Sequence, residues 1–319
     1  MDSESGPAAR NARTGSPESS GLTVEASAKP KILLTGATGF IGQSVMRHLS
    51  MHADLYPVVR TAGQGGSNAV VHDLNTPLSI AVLPEQIDAV IHMAQSPNYR
   101  GFPDTASEVF GINVRAMSEL LDYAAKAGAD SFVHCSTGSV YEPYDGVLAE
   151  SRALSPTSLN GTTKLAAEAI SRTYESQFAV SRLRFFMPYG PGQYDKLLPA
   201  IIDRVANGRA VDLQGGTGPT LAPIHVEDAA AIIASAALKR WSGTYNVASP
   251  EQFTLAEIAE MIAAQMGQTL LQNATDGTPA RLVPEIERLA AKCPDRKYIP
   301  FKVGLRDTID AQIGGSDEA

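Results

Sequence analysis

Three glycines at the junction of an apolar run and a helix-like stretch constrain this chain most. Lys31 to Gly42 reads KILLTGATGFIG, and QSVMRHLS follows it. A strand that ends in such a turn and opens a helix forms a seat for a dinucleotide. Glycine lets the backbone turn sharply and approach a pyrophosphate, and the helix N-terminus beyond offers unpaired N–H groups and a partial positive charge. The spacing of Gly36, Gly39 and Gly42 is G-x-x-G-x-x-G rather than G-x-G-x-x-G. What lifts it above an ordinary glycine-rich turn is the strand before it and the βα units after it. Gly36, Thr38, Gly39, Phe40, Ile41 and Gly42 are therefore candidate contacts to NADP or NAD.

The remaining composition excludes several classes. At 319 residues the chain can bury a large core, and 26 basic against 34 acidic side chains give a net charge of −8 without any Lys/Arg cluster. No nucleic-acid or anionic-membrane surface is expected. Cys135 and Cys293 are too few for a disulfide framework and lack metal-ligand spacing, so no metal is expected, and reduced thiols in a cytoplasmic protein are the simplest account. Residues 1–29 are rich in Ser, Gly, Ala, Pro and Glu. They carry neither the apolar centre of a secretory signal nor the acid-poor composition of a mitochondrial presequence, and a disordered tail is the expectation. Ala229 to Leu238 is too short and too close to His225, Glu227 and Asp228 for a membrane span.

From residue 30 to 186, short apolar runs alternate with helical patterns. Strands are expected at Lys31–Thr35, Leu55–Val59, Ala69–His72, Ala89–Met93, Ser131–Cys135 and Ser181–Phe186, and helices at Ile41–Ser50, Ala106–Ala127 and Thr162–Phe178. This alternation predicts an α/β fold of the Rossmann type, a doubly wound parallel sheet with right-handed crossovers and ligands at the carboxyl ends of the strands. Residues 187–319 read as a smaller, mixed α/β substrate lobe, some segments of which return to the main sheet. Its helices are expected at Lys196–Asn207, Val226–Lys239 and Leu255–Met266, and its strands at Val211–Leu213 and Thr244–Val247.

Seven stretches then appear in order: TGATGFIG (Thr35–Gly42), HDL (His72–Leu74), DAVIHMAQS (Asp88–Ser96), CSTGSVY (Cys135–Tyr141), PYGPGQ (Pro188–Gln193), PIHVEDAA (Pro223–Ala230) and YNVAS (Tyr245–Ser249). On these, the chain from about residue 30 to 310 resembles the extended short-chain dehydrogenase/reductase family, in its NAD-dependent epimerase/dehydratase branch. The resemblance is specific for fold and less so for reaction. It implies that Asp73 contacts the adenine, with Leu74 beside it, and that Ala94 and Gln95 lie beside the cofactor's phosphates and ribose. Arg60 ends the second strand where an acidic residue would hold the NAD ribose. Arginine there accommodates the 2′-phosphate of NADP, which is the preferred cofactor on this reading. His92 reads as a structural histidine.

In that family a Ser or Thr after the fifth strand works with a Tyr and a Lys spaced Y-x-x-x-K on one helix face. The lysine holds the nicotinamide ribose and eases ionisation of the phenol, which exchanges a proton with the substrate. Thr137 and Lys164 match. The tyrosine position is Asn160, in PTSLNGTTK, and an amide cannot act as the base; it can orient a carbonyl or a water. Tyr141, Tyr144 and Tyr174 all lack a lysine four residues on, although loop-borne Tyr144 offers another route to the site. Leu221 stands where sugar-nucleotide members carry a diphosphate-binding arginine, and a second such arginine is not evident around residues 273–277. His225 and Asp228 read as a strand–helix junction.

Three functions follow. The first is an epimerase/dehydratase-like oxidoreductase acting on a hydroxyl or carbonyl of a small polar, sugar-like substrate, with chemistry altered at Asn160. The second is a catalytically silent NADP(H)-binding sensor or scaffold. A lyase-type reaction with permanently bound cofactor is a third. Family members often pair into dimers through the helices at 106–127 and 162–178, so a homodimer is among the expectations.

Overall fold

The computed structural model describes residues 28–314, so most of the expected tail at 1–29 lies outside the described residues. The first part of the chain runs β1 (Lys31–Thr35), α1 (Phe40–Leu49), β2 (Asp54–Val59), β3 (Val70–Val71), β4 (Ala89–His92), α2 (Ala106–Phe110), a π turn (Gly111–Arg115), α3 (Ala116–Lys126), β5 (Ser131–Thr137), α4 (Leu159–Arg172) and β6 (Ala179–Phe185). It continues through β7 (Met187–Tyr189), α5 (Leu197–Ala206), β8 (Val211–Gln214), β9 (Thr220–Leu221), β10 (Pro223–His225), α6 (Val226–Leu238) and β11 (Gly243–Val247). Last come β12 (Phe253–Thr254), α7 (Leu255–Met266), β13 (Gln272–Thr275), β14 (Arg281–Leu282), α8 (Glu287–Lys292) and α9 (Phe301–Gly314).

The main sheet has seven strands in the order β3-β2-β1-β4-β5-β6-β11, all parallel. This is the doubly wound arrangement, and its order reverses between β1 and β4. Central strands bury both faces, which is why they read as continuous apolar runs. On one face, Val45 and Leu49 of α1 and Ala229 to Ala237 of α6 pack against Ile32, Leu34 and Ile91. On the other, Met117, Leu120 and Leu121 of α3 and Ala167 of α4 pack against Leu33, Val90 and Phe132. A separate core joins α5, α7 and α9 through Ile201, Ile258 and Leu305.

Several elements differ from the sequence expectation. Helix α4 begins at Leu159 because the Ser158 hydroxyl accepts a hydrogen bond from the Gly161 amide, an N-cap that places Asn160 inside the first turn. It stops at Arg172, well before Phe178. The expected single helix at 106–127 is interrupted by the π turn, where Asn113 is fully buried and donates to Thr163 Oγ1 at 3.0 Å. Strand β5 extends to Thr137, so that residue ends the strand itself. No helix among the described residues is long and apolar enough to cross a membrane.

Candidate active site

The glycine turn carries its geometry in its backbone. Gly36 has φ +72°, and a Cβ there would lie 2.8 Å from the Ala94 amide nitrogen; a Cβ on Gly42 would lie 2.1 Å from the Gly36 carbonyl oxygen. The turn closes with a 3.0 Å bond from the Gly39 amide to that same carbonyl. Helix α1 has no acidic residue in its first turn, and among the described residues no side chain caps its leading N–H groups. This narrow, donor-rich cradle at the switch point fits a pyrophosphate.

One cavity of 540 Å³ collects much of the expected site. Gly36, Gly39, Phe40, Ile41, Gly42 and Gln95 line it at one end, with Thr137 and Lys164 beside them. Phe186, Met187, Pro188, Leu197, Leu221 and Leu282 give the other end an apolar wall. Thr38 lines a separate hollow of 460 Å³ with Gln43, Gln64 and Gly65. Arg60 and Asp73 are exposed at the strand ends beside Glu108, whose acidity both influence. Leu74 is buried in the core under α3, and Ala94 stands against the Gly36 backbone.

Lys164 is 1% exposed and donates to the Cys135 carbonyl oxygen at 3.0 Å. Burial pulls its pKa down to about 8, with Cys135 and Glu168 opposing. An ammonium has three donors, so two remain for a ribose hydroxyl. Thr137 Oγ1 accepts from the Ser139 amide at 3.2 Å. Beneath them lies a buried charge pair: Arg184 reaches both carboxylate oxygens of Glu168, at 2.9 and 2.7 Å. Ser136 donates to Glu168 at 2.6 Å, Arg184 to the Tyr141 hydroxyl at 2.7 Å, and Tyr141 to Asn246 at 2.8 Å. This network fixes β5, α4, β6 and β11 behind the cavity.

His92 is buried on β4, its Nδ1 2.7 Å from Thr35 Oγ1. Burial first, then Lys164, pulls its pKa down to about 3, so it stays neutral at physiological pH. His225 caps α6 by accepting from the Glu227 amide at 3.3 Å, while Asp228 pairs with Arg296 at 2.6 Å.

Asn160 does not line the 540 Å³ cavity. It borders an adjoining one of 650 Å³ with Ser139, Glu142 and Thr157, and its amide oxygen has no hydrogen-bond partner among the described residues. Tyr99 and Arg100 line both spaces. Neither they nor Lys196, whose ammonium donates to the Tyr99 hydroxyl at 3.2 Å, were expected from the sequence. SPNYR (residues 96–100) lies in the loop that leaves the carboxyl end of β4, where ligands sit in this architecture, and that position is the signal that points to Tyr99. Lys196 has no such signal, since only the fold brings it across. Tyr144 turns its hydroxyl to Ser139 Oγ at 3.5 Å and Glu142 Oε1 at 3.4 Å.

Fold and site together define a doubly wound protein with a dinucleotide cradle and a threonine–lysine pair at one strand end. Residues 32–248 match the model of the NAD dependent epimerase/dehydratase family, and the chain belongs to that family. Membership carries NAD as the cofactor. The chain is similar to the low-salt glycan biosynthesis protein Agl12 of Haloferax volcanii, with 28% identity over 74% of this chain and 82% of the relative. It is 27% identical to a dTDP-4-dehydro-6-deoxy-D-allose reductase from Streptomyces sp, over 90% of this chain and 97% of that one. Among solved structures, MoeE5 in complex with UDP-glucose and NAD superposes with a TM-score of 0.79 at 26% identity, covering 90% of this chain and 99% of MoeE5.

Proposed function

We propose that this protein is a nicotinamide-nucleotide-dependent oxidoreductase of the epimerase/dehydratase type, acting on a hydroxyl or carbonyl of a small, sugar-like substrate. The observation that carries the reading is the convergence of the glycine cradle, Thr137 and Lys164 on one cavity. When bound, the cofactor supplies hydride exchange at its nicotinamide ring. The chain's residues do the rest. The turn Gly36–Gly42 receives the pyrophosphate, and Lys164 holds the nicotinamide ribose with the donors that Cys135 leaves free. Thr137 polarises the substrate oxygen at the end of β5. Asn160 replaces the helix tyrosine, so proton transfer uses another group, and its unpartnered amide oxygen orients a water or a substrate hydroxyl.

The sugar-nucleotide names of the relatives support a substrate with an oxidisable hydroxyl. Leu221 in the cavity wall argues against carrying over their diphosphate contact, since leucine offers no bidentate partner to phosphate. Arg60 favours the 2′-phosphate of NADP over the bare ribose of NAD. Titrating the protein with NADPH and with NADH by fluorescence tests this. The expected result is tight binding of both, with NADPH the tighter, and Arg60→Glu reversing the order. No binding of either nucleotide would remove the proposal. A cofactor-binding protein without turnover is the second reading, favoured by Asn160, and absence of hydride transfer on a broad panel of sugars and alcohols would select it.

A further inference from the structure

Loss of the helix tyrosine leaves a gap in the chemistry, and the structure holds a phenol close to the gap. Tyr99 sits in the loop after β4 and borders both the 540 Å³ cavity that holds Thr137 and Lys164 and the 650 Å³ space that Asn160 borders. Tyr99 is therefore shared by the cavity that holds the cofactor cradle and the space beside Asn160. The phenol oxygen accepts a 3.2 Å hydrogen bond from Lys196 Nζ. The same ammonium lies 5.0 Å from the ring centroid, and the Arg100 guanidinium lies 5.2 Å from it. Neither cation has a carboxylate partner within salt-bridge distance among the described residues.

We propose that Tyr99, positioned by Lys196, is the acid–base residue of this site and takes the part that Asn160 cannot. The proposal rests on the oxidoreductase reading above and names the group that reading lacks. Because the phenol oxygen accepts from an ammonium, its own proton points elsewhere, and it finds no acceptor among the described residues. In the reductive direction the reduced nucleotide gives two electrons, as hydride, to the substrate carbonyl carbon. The Tyr99 O–H bond breaks, its proton goes to the former carbonyl oxygen, and an alcohol forms. The negative charge left on the phenol oxygen faces the Lys196 ammonium at 3.2 Å, and a proton from solvent restores the phenol. Oxidation runs the same transfers backwards. Thr137 holds the substrate oxygen in both directions. The older pairing of tyrosine and lysine along one helix is thus replaced by a pair built from two loops, 97 residues apart.

Tyr144 is the competing phenol. Its hydroxyl is directed at Ser139 and at the Glu142 carboxylate, an acceptor for its proton, so it lacks the cationic partner that Tyr99 has.

The test uses the full-length wild type and the variants Tyr99→Phe, Tyr144→Phe, Lys196→Met and Lys196→Arg. Fluorescence titration with NADH and with NADPH comes first: failure of the wild type to bind either nucleotide would end the oxidoreductase reading, not this assignment alone. With the oxidised form of the nucleotide bound, which tetranitromethane does not consume, nitration by that reagent is mapped by mass spectrometry. The expected result is that the saturating oxidised nucleotide shields Tyr99 but not Tyr194, which is 78% exposed. Turnover is then measured with reduced cofactor and a panel of keto sugars. Tyr99→Phe should lower kcat by roughly 10²-fold or more and leave NADH binding intact, while Tyr144→Phe should match the wild type. Lys196→Met should lower kcat with little change in KM, and Lys196→Arg should recover most of it. Unshielded Tyr99, wild-type turnover in Tyr99→Phe, or loss of turnover in Tyr144→Phe alone would overturn the proposal. If the wild type reduces none of the panel, the shielding result still decides: protection of Tyr99 supports the assignment and reaction at an undiminished rate removes it.

Discussion

Lys164 and Cys135 are joined by a 3.0 Å hydrogen bond from the ammonium to the backbone carbonyl, across the interface between α4 and β5. The pair holds a charged amine at a site that is 1% exposed. Burial of such a group works against the fold, and the function proposed above assigns it the nicotinamide ribose.

Lys164→Met should therefore stabilise the protein while abolishing nucleotide binding. The fall of this amine from 10.5 to about 8 corresponds to roughly 3 kcal/mol against folding at neutral pH. Loss of the bond to Cys135 returns about 1 kcal/mol, leaving a net gain of about 2 kcal/mol. The sign with pH follows from linkage. Between pH 8 and 10.5 the unfolded chain binds more protons than the folded one, so wild-type stability rises with pH across that window. Denaturant unfolding at pH 7 and pH 10 should show the advantage of the variant shrinking at the higher pH. An advantage that does not change with pH would contradict it.

The two buried histidines act at the other end of the scale. Burial, then Lys164, holds His92 near 3, and burial holds His134 well below 6.5; the rings stack 5.8 Å apart. Each stays neutral in the fold while its unfolded counterpart takes a proton, so stability is complete above pH 6.5 and falls as pH drops toward 3. Both ring nitrogens of His134 lack partners among the described residues. His134→Leu should gain about 1 kcal/mol at pH 8 by removing them, and more at pH 5. Thermal melts of both proteins at the two pH values measure this, and equal gains at both would refute it.

Breaking the Glu168–Arg184 pair should be far more costly than surface changes nearby. Glu168 is fully buried and Arg184 is 1% exposed, so Glu168→Ala strands an uncompensated charge and should cost about 3–5 kcal/mol. Replacing both, as Glu168→Leu with Arg184→Met, should cost less than the two single changes added together. Urea denaturation of the four proteins closes the cycle. Simple additivity would show that the two side chains are energetically independent.

Among the glycines of the cradle the order of damage is set by distance. A Cβ at Gly42 meets the Gly36 carbonyl at 2.1 Å, whereas one at Gly39 stays 3.2 Å from it. Gly42→Ala should destabilise by about 1–3 kcal/mol and lower NADH affinity at least tenfold, and Gly39→Ala should have the milder effect. Fluorescence titration and thermal melts rank the pair, and the reverse ranking would remove the steric account.

Much of the main sheet was legible because its strands are apolar on both faces and punctuated by helical periods. Strand β1 and helix α7 match their expected bounds residue for residue. The π turn was not legible, since one extra residue in a helical turn leaves the hydrophobic period almost unchanged; only the burial of Asn113 against Thr163 explains it. The two-residue strands β9, β12 and β14 have too little pattern to read, and α8 and α9 were not expected at all. For the site, the motifs nominated Gly36, Gly39, Phe40, Ile41, Gly42, Gln95, Thr137 and Lys164, which the fold brings to one cavity, and Thr38, which lines a separate hollow. The same reading nominated Arg60 and Asp73, which stand outside the cavity's wall beside Glu108. The contact of Tyr99 with Lys196 joins residues that share no local pattern, and no reading of one segment at a time could have paired them.

The second core is not built from one continuous stretch. Its residues come from about 187–221, 253–282 and 301–314, and between these the chain returns to the main sheet through α6, β11 and α8. A graft that transplants this second core onto another dinucleotide scaffold would thus have to carry three separate stretches of chain, each joined on its own, rather than one contiguous block.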